Sequence, residues 1–145
     1  MPTLKWTPPS TLTTALSTEL NGLANNTYSA LSAEIDNETG LNLYIDLELV
    51  IAAQAAARSS GAWVGVYIAS AVDSTPNYPD TANDAFAELL AAFQLDATAN
   101  ARRLTKVNLA IPPLKVKLYV KNVTGQAFAT SGNTLKYRIH SEQSV

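Results

Sequence analysis

From residue 41 onward, apolar and polar side chains alternate along the chain. Leu41, Leu43, Ile45, Leu47, Leu49 and Ile51 take one side; Asn42, Tyr44, Asp46 and Glu48 take the other. A period of two sends successive side chains to opposite faces of a strand, so residues 41–52 are expected to bury one face and wet the other. Residues 63–72 follow the same rule, with Val64, Val66, Ile68 and Val72 opposite Trp63, Tyr67 and Ala69. So do residues 114–123, where Leu114, Val116, Leu118 and Val120 alternate with Lys115, Lys117, Tyr119 and Lys121, and the stretch from Leu135 to His140. Residues 27–35 and 103–111 are weaker strands of the same kind. Residues 86–95 fit a helix through Phe86, Leu89, Leu90 and Phe93, or a strand through Leu89, Ala91, Phe93 and Leu95. Their strand neighbours favour a strand for the second half.

The beginning reads differently. Residues 1–10 hold three prolines, and Pro8-Pro9 disfavours helix, which predicts an extended N-terminal arm. In residues 11–24, Leu12, Leu16, Leu20 and Leu23 recur at helical spacing, which predicts one short helix. Turn-forming residues separate the strands: residues 36–40, 59–61, Pro112-Pro113, Thr124-Gly125 and residues 131–133. The longest break, residues 73–84, contains Pro76, Asn77, Pro79, Asp80 and Asn83. About eight strands joined by turns predict an all-β antiparallel sandwich, with the jelly roll as its expected form, over residues 11–145.

A chain of 145 residues can bury a core without disulfide or metal, and it has no cysteine. Cysteine nucleophiles and thiolate metal sites are thereby excluded. No export signal is read at residues 1–5, and the apolar run at residues 49–57 is about half of a membrane span, so no membrane partner is expected. Charge is uneven. Residues 1–100 carry Lys5 and Arg58 against eleven acidic side chains, a balance of −9; residues 101–145 carry eight basic residues against Glu142, a balance of +7. Such asymmetry can mean a nucleic-acid tail or surfaces of unlike sign that meet in an assembly. An acidic total and the absence of RNA-binding signatures argue against nucleic acid.

Candidate chemistry is sparse. The single histidine, His140, is expected on a solvent-facing strand side with Glu142 as its nearest acid, and a general base needs a positioned partner. Asp46 and Glu48 share a strand face, as a glycosidase pair or an oxygen-ligand site could, but any half-wet strand shows such residues. Asp73, Asp80 and Asp84 match no calcium-loop spacing. No glycine-rich phosphate loop or hydrolase elbow is present. Three glycosylation patterns begin at Asn25, Asn37 and Asn122. Tyr44, Trp63 and Tyr67 on outer faces, with Tyr78, could stack on sugar rings or meet a partner. Lys115, Lys117 and Lys121 form one basic ridge, and Lys136 with Arg138 another; were those strands paired, the result would be a basic sheet face. The expectation is a protein without cofactor or catalytic residues.

The C-terminal third carries a resemblance. Arg102-Arg103, residues 108–113 (NLAIPP), residues 118–122 (LYVKN) and residues 129–138 (ATSGNTLKYR), with the earlier LNGLAN at 20–25 and LYIDLEL at 43–49, resemble a family of small virion structural proteins of tailed bacteriophages. The resemblance implies a β-sandwich on the outer capsid surface, made in the host cytoplasm. It implies a decoration (cement) protein, often trimeric, that clamps major capsid subunits; a tail or neck location is the other possibility. The expected contact residues are the arm (Leu4, Lys5, Trp6) and the basic positions Arg102, Arg103, Lys115, Lys117 and Lys121. Charge-complementary clamping would weaken with salt. The alternative from another class is a non-catalytic carbohydrate-binding module using Trp63, Tyr67 and Tyr44.

Overall fold

The computed structural model describes residues 1–73, 77–79 and 87–145; Pro76, Asp80, Asn83, Asp84 and Phe86 lie outside the described residues. The strands are β1 (Leu4–Trp6), β2 (Thr13–Leu16), β3 (Ile35–Asp36), β4 (Tyr44–Ile51), β5 (Trp63–Ala71), β6 (Glu88–Gln94), β7 (Arg102–Ala110), β8 (Lys115–Val123), β9 (Thr134–His140) and β10 (Glu142–Ser144). One four-stranded sheet has the order β2-β9-β4-β7 and the other β3-β8-β5-β6, all pairs antiparallel. Taking β2 to β9 as eight consecutive strands, the first, eighth, third and sixth make one sheet; the second, seventh, fourth and fifth make the other. That interleaving is the jelly roll, with both sheets contributing to one core.

The alternation does what the sequence implies. Ile45, Leu47, Leu49 and Ile51 point inward from β4 against Val64, Val66, Phe93, Val116, Leu118, Val120 and Leu135, all essentially without solvent contact. The alternation of residues 41–52 runs past its strand, however. Leu41 and Leu43 are exposed, because Asn37–Gly40 form a single helical turn (α1) and Leu41 ends it in the left-handed conformation, at φ 49°. Val72, likewise, lies one residue beyond β5 and is exposed. Residues 88–94 form strand β6, as favoured for that segment.

The expected helix over residues 11–24 does not form. Thr13–Leu16 are strand β2, and a 3-10 turn covers Thr18–Leu20. Leu16 and Leu20 are both buried, so the leucine spacing reports two core anchors, while Leu12 stays exposed. Two threonines favour extended backbone here, and the open side of β9 offers a row of unpaired groups that β2 fills.

Both sheets complete an outer edge with hydroxyl side chains. The Val120 N–H donates to Ser29 Oγ at 3.0 Å and the Leu118 N–H to Ser32 Oγ at 2.9 Å, while the Ser29 and Ser32 N–H groups donate back to the same residues' carbonyls. Residues 27–35, expected to be a strand, therefore follow β8 mostly without regular ladder geometry. The arm repeats the device. Pro8-Pro9 separates β1, which pairs with β10, from β2, which pairs with β9, and on either side the Ser141 N–H donates to Thr7 Oγ1 and the Ile139 N–H to Ser10 Oγ. Residues 1–10 are extended as predicted, yet they lie along their own domain: β1 pairs with β10, Leu4 opposite Ser144 and Trp6 opposite Glu142.

Candidate functional site

The outer face of the β2-β9-β4-β7 sheet breaks the rule that wet faces carry exposed polar residues. Asp46 of β4 sits directly across from Arg138 of β9, and Tyr44 across from His140. Asp46 and His140 are each only 7% exposed. The Asp46 carboxylate accepts three hydrogen bonds: from the Asn108 N–H at 2.9 Å, from Arg138 Nε at 2.9 Å, and from His140 Nε2 at 3.1 Å. Burial alone would push this carboxyl up. The three donors outweigh that, led by the Asn108 amide, and hold it below the usual carboxylate range.

His140 was expected to be solvent-facing, with Glu142 as its nearest acid. It is buried instead, and its partner is Asp46, because Trp6 of the arm packs over it. The Trp6 ring lies 5.2 Å from His140 and 5.5 Å from Tyr44, edge-on to both, and Tyr44 stacks on His140 at 5.5 Å. The Asn108 amide reaches Asp46 because β7 bulges there. Pairing between β4 and β7 shifts register between Ile45 and Leu47, and Asn108 adopts φ 57° while Val107 turns outward.

Between the arm and this bulge runs an open trough. One part, of about 330 Å³, is lined by Trp6, Pro9, Asn108 and His140 among others; a second, of about 220 Å³, by Leu12, Glu48 and Thr105 among others. Asp46, Val107 and Arg138 border both. The neighbouring hydroxyls of Thr7 and Ser10 are engaged with β9–β10 backbone. Among the described residues, no group of three or more acidic or histidine side chains could hold a metal ion, and no helix is long and apolar enough to cross a membrane.

The other expected site residues are scattered. β8 and β9 lie in different sheets, so the ridge of Lys115, Lys117 and Lys121 never joins Lys136 and Arg138 into one basic face. Lys115 approaches Glu34 at 3.7 Å, and the ammonium groups of Lys117 and Lys121 lie over the rings of Tyr78 and Tyr28. Arg102 pairs with Asp96, and Arg103 with Glu48 at 3.1 Å. Acidic β4 is seated between basic β7 and β9, so much of the −9 and +7 imbalance closes within the chain, on the outer face of this sheet. The aromatic platform also dissolves: Trp63 and Tyr67 are on β5, in the sheet opposite Tyr44, and Tyr67 is buried with Tyr28 and Tyr119. Leu4 and Trp6 remain well exposed, and Val145 joins them at the paired chain termini.

Three further polar hubs escaped sequence reading. Arg58, whose side chain is fully buried, donates to Gln54 Oε1 and to the carbonyls of Asp96 and Asn100, and pairs with the Asp96 carboxylate at 3.3 Å. Of the three glycosylation patterns, those at Asn37 and Asn122 have fully buried asparagines whose amide groups clamp loop carbonyls.

These features define the class: a jelly-roll β-sandwich with a docked N-terminal arm and a polar trough beneath it. No protein-family model matches the chain, and none of the curated proteins matches it.

Proposed function

We propose that this chain is a structural protein of a tailed-phage virion, a decoration protein that binds major capsid subunits non-covalently rather than catalysing a reaction. The observation that carries this reading is the terminal ribbon. β1 and β10 pair at the edge of the jelly roll, and Leu4 and Trp6, two residues apart on β1, present exposed apolar side chains on one face of that ribbon. Exposed apolar groups of this kind mark contact sites more often than isolated surface leucines do. The resemblance in the C-terminal third and the jelly-roll topology, an architecture shared with capsid proteins, support it further.

The internal ion pairs change which residues would make the contact. Arg102, Arg103 and Lys115 each have an acidic partner within the chain, so the apolar ribbon, with Lys5 beside it, is the better clamp. Several modest contacts on a fixed lattice raise effective affinity by about 10²–10⁴. The test is co-sedimentation with capsids stripped of decoration, alongside light scattering to ask whether the 15.4 kDa chain is a trimer. Wild type is expected to bind at saturable stoichiometry and Leu4→Asp to lose most of that binding. Wild-type protein that ignores capsids but binds tails or necks would move it elsewhere on the particle; binding to neither would overturn the reading.

A further inference from the structure

We propose that the trough between the arm and the β7 bulge is a binding site for a neutral sugar, a pyranose ring of a glycan chain. The first argument is charge. Asp46 and Glu48 border the trough, and each is already paired, with Arg138 at 2.9 Å and Arg103 at 3.1 Å. Two closed pairs offer no net charge to an anion or a cation, and a ligand that leaves them intact is neutral.

The second argument is hydrogen-bonding capacity. Arg138 gives its Nε to Asp46, which leaves both terminal nitrogens without a partner among the described residues, on a side chain 44% exposed. Among the described residues the Asn108 side-chain amide has no hydrogen-bond partner either, its contact with Asp46 being through the backbone N–H. A guanidinium supplies donors only, whereas a carboxamide both donates and accepts. Together they match sugar hydroxyls, which do both.

Third, the trough has an apolar wall. Trp6 is 51% exposed and Val107 58%, with Pro9 beside them. A pyranose has a C–H face that packs on an indole while its rim hydroxyls reach the floor, the apolar-body and wet-rim arrangement that tryptophan suits.

Finally, the site is pre-organised. Asp46, more than nine-tenths buried, fixes Arg138, His140 and the Asn108 backbone at once. Asn108 is held in a left-handed conformation within a strand, the kind of local strain that persists where surrounding structure enforces it and that concentrates at binding sites. The part beside Trp6 and Asn108, about 330 Å³, falls at the small end of the range for ligand sites, about 300–1,000 Å³. This site shares no residue with the pair Trp63 and Tyr67 on the opposite sheet.

The experiment is calorimetric titration, with tryptophan fluorescence in parallel, using neutral oligosaccharides of glucose, galactose and mannose, and sialylated and sulfated fragments as charged arms. At least one neutral series is expected to bind saturably, with an affinity insensitive to salt. Asn108→Gly is the decisive variant, because glycine accepts the left-handed backbone and the Asp46 contact is to main chain. It is expected to weaken binding about tenfold while the melting temperature holds or rises. Trp6→Ala should weaken it at least as much and Trp63→Ala not at all. Absence of neutral-sugar binding at millimolar concentrations, binding confined to charged fragments, or binding indifferent to Asn108→Gly and Trp6→Ala would each overturn the proposal. Capsid binding should survive Asn108→Gly and sugar binding should survive Leu4→Asp, so the two readings fail separately.

Discussion

Asp46 shows how one residue can join three strands. Its carboxylate ties β4 to the β7 bulge and to β9, and each donor it holds would lose its partner on truncation. Asp46→Ala is therefore expected to destabilise the fold by about 1–3 kcal/mol for the buried His140 donor left unpaired, with a smaller cost at the part-buried Asn108 amide, measured by urea unfolding. The pH dependence follows from the same contacts. Because the folded pKa is depressed, the contribution is fully present above the unfolded value of about 3.9 and is lost as pH falls through the lower folded value. Asp46→Asn should flatten that acid limb relative to wild type, and an unchanged acid profile would contradict the assignment. Arg58 makes the complementary case of a buried cation. Arg58→Met is expected to cost about 3–5 kcal/mol, since it strands Gln54 and two loop carbonyls. Arg58→Lys should restore little, because a single ammonium cannot reproduce the spread of the guanidinium donors.

At the scale of the element, the jelly roll is finished by irregular edges rather than by perfect strands. Ser29 and Ser32 stand in for backbone acceptors along β8, and Thr7 and Ser10 do so along β9–β10. Replacing Ser29 and Ser32 together by alanine leaves the buried amides of Val120 and Leu118 without acceptors. Hydrogen exchange at those two amides should accelerate well beyond that of β5, with stability falling by about 1–3 kcal/mol per site. Were both amides to stay as protected as in wild type, water or a shifted carbonyl would have to replace the hydroxyls. These edges explain why periodicity read the central strands well and the peripheral ones poorly. β4, β5 and β8 bury full faces, and their alternation is forced by the core. Residues 11–24 and 27–35 instead meet β9 and β8 through single anchors, Leu16, Leu20 and Ile35, and through hydroxyls, so no clean period survives there.

For the molecule as a whole, the consequence lies in electrostatics. A chain with halves of −9 and +7 invites the expectation of salt-sensitive assembly. Folding places Asp46 and Glu48 between Arg138 and Arg103, and Asp96 against Arg58 and Arg102. The Arg102 guanidinium, with Thr98 and Arg58, holds the Asp96 carboxyl at about 2, despite the opposing effect of desolvation. The proposed capsid binding, if made through the exposed Leu4 and Trp6, should accordingly change little when salt is raised to 1 M, where the Debye length is about 3 Å. A steep loss of binding with salt would restore the basic residues as the contact surface.

Local pattern was enough to establish an all-β chain, its central strands, its core-facing side chains and the lack of thiol chemistry. Those follow from a two-residue period and from composition, which need no knowledge of neighbours. The arm's extended form was legible for the same reason, since proline restricts its own backbone. The candidate site was not. His140 and Asp46 are 94 residues apart, and no local signal says that β9 will lie beside β4 or that Trp6 will cover both. A bulge at Asn108 and an arm folded back over the sheet turn two ordinary wet-face residues into a buried pair beside a trough. Which strands become neighbours is set by burying both sheets' apolar faces at once, and the partners of every polar residue outside the core follow from that choice.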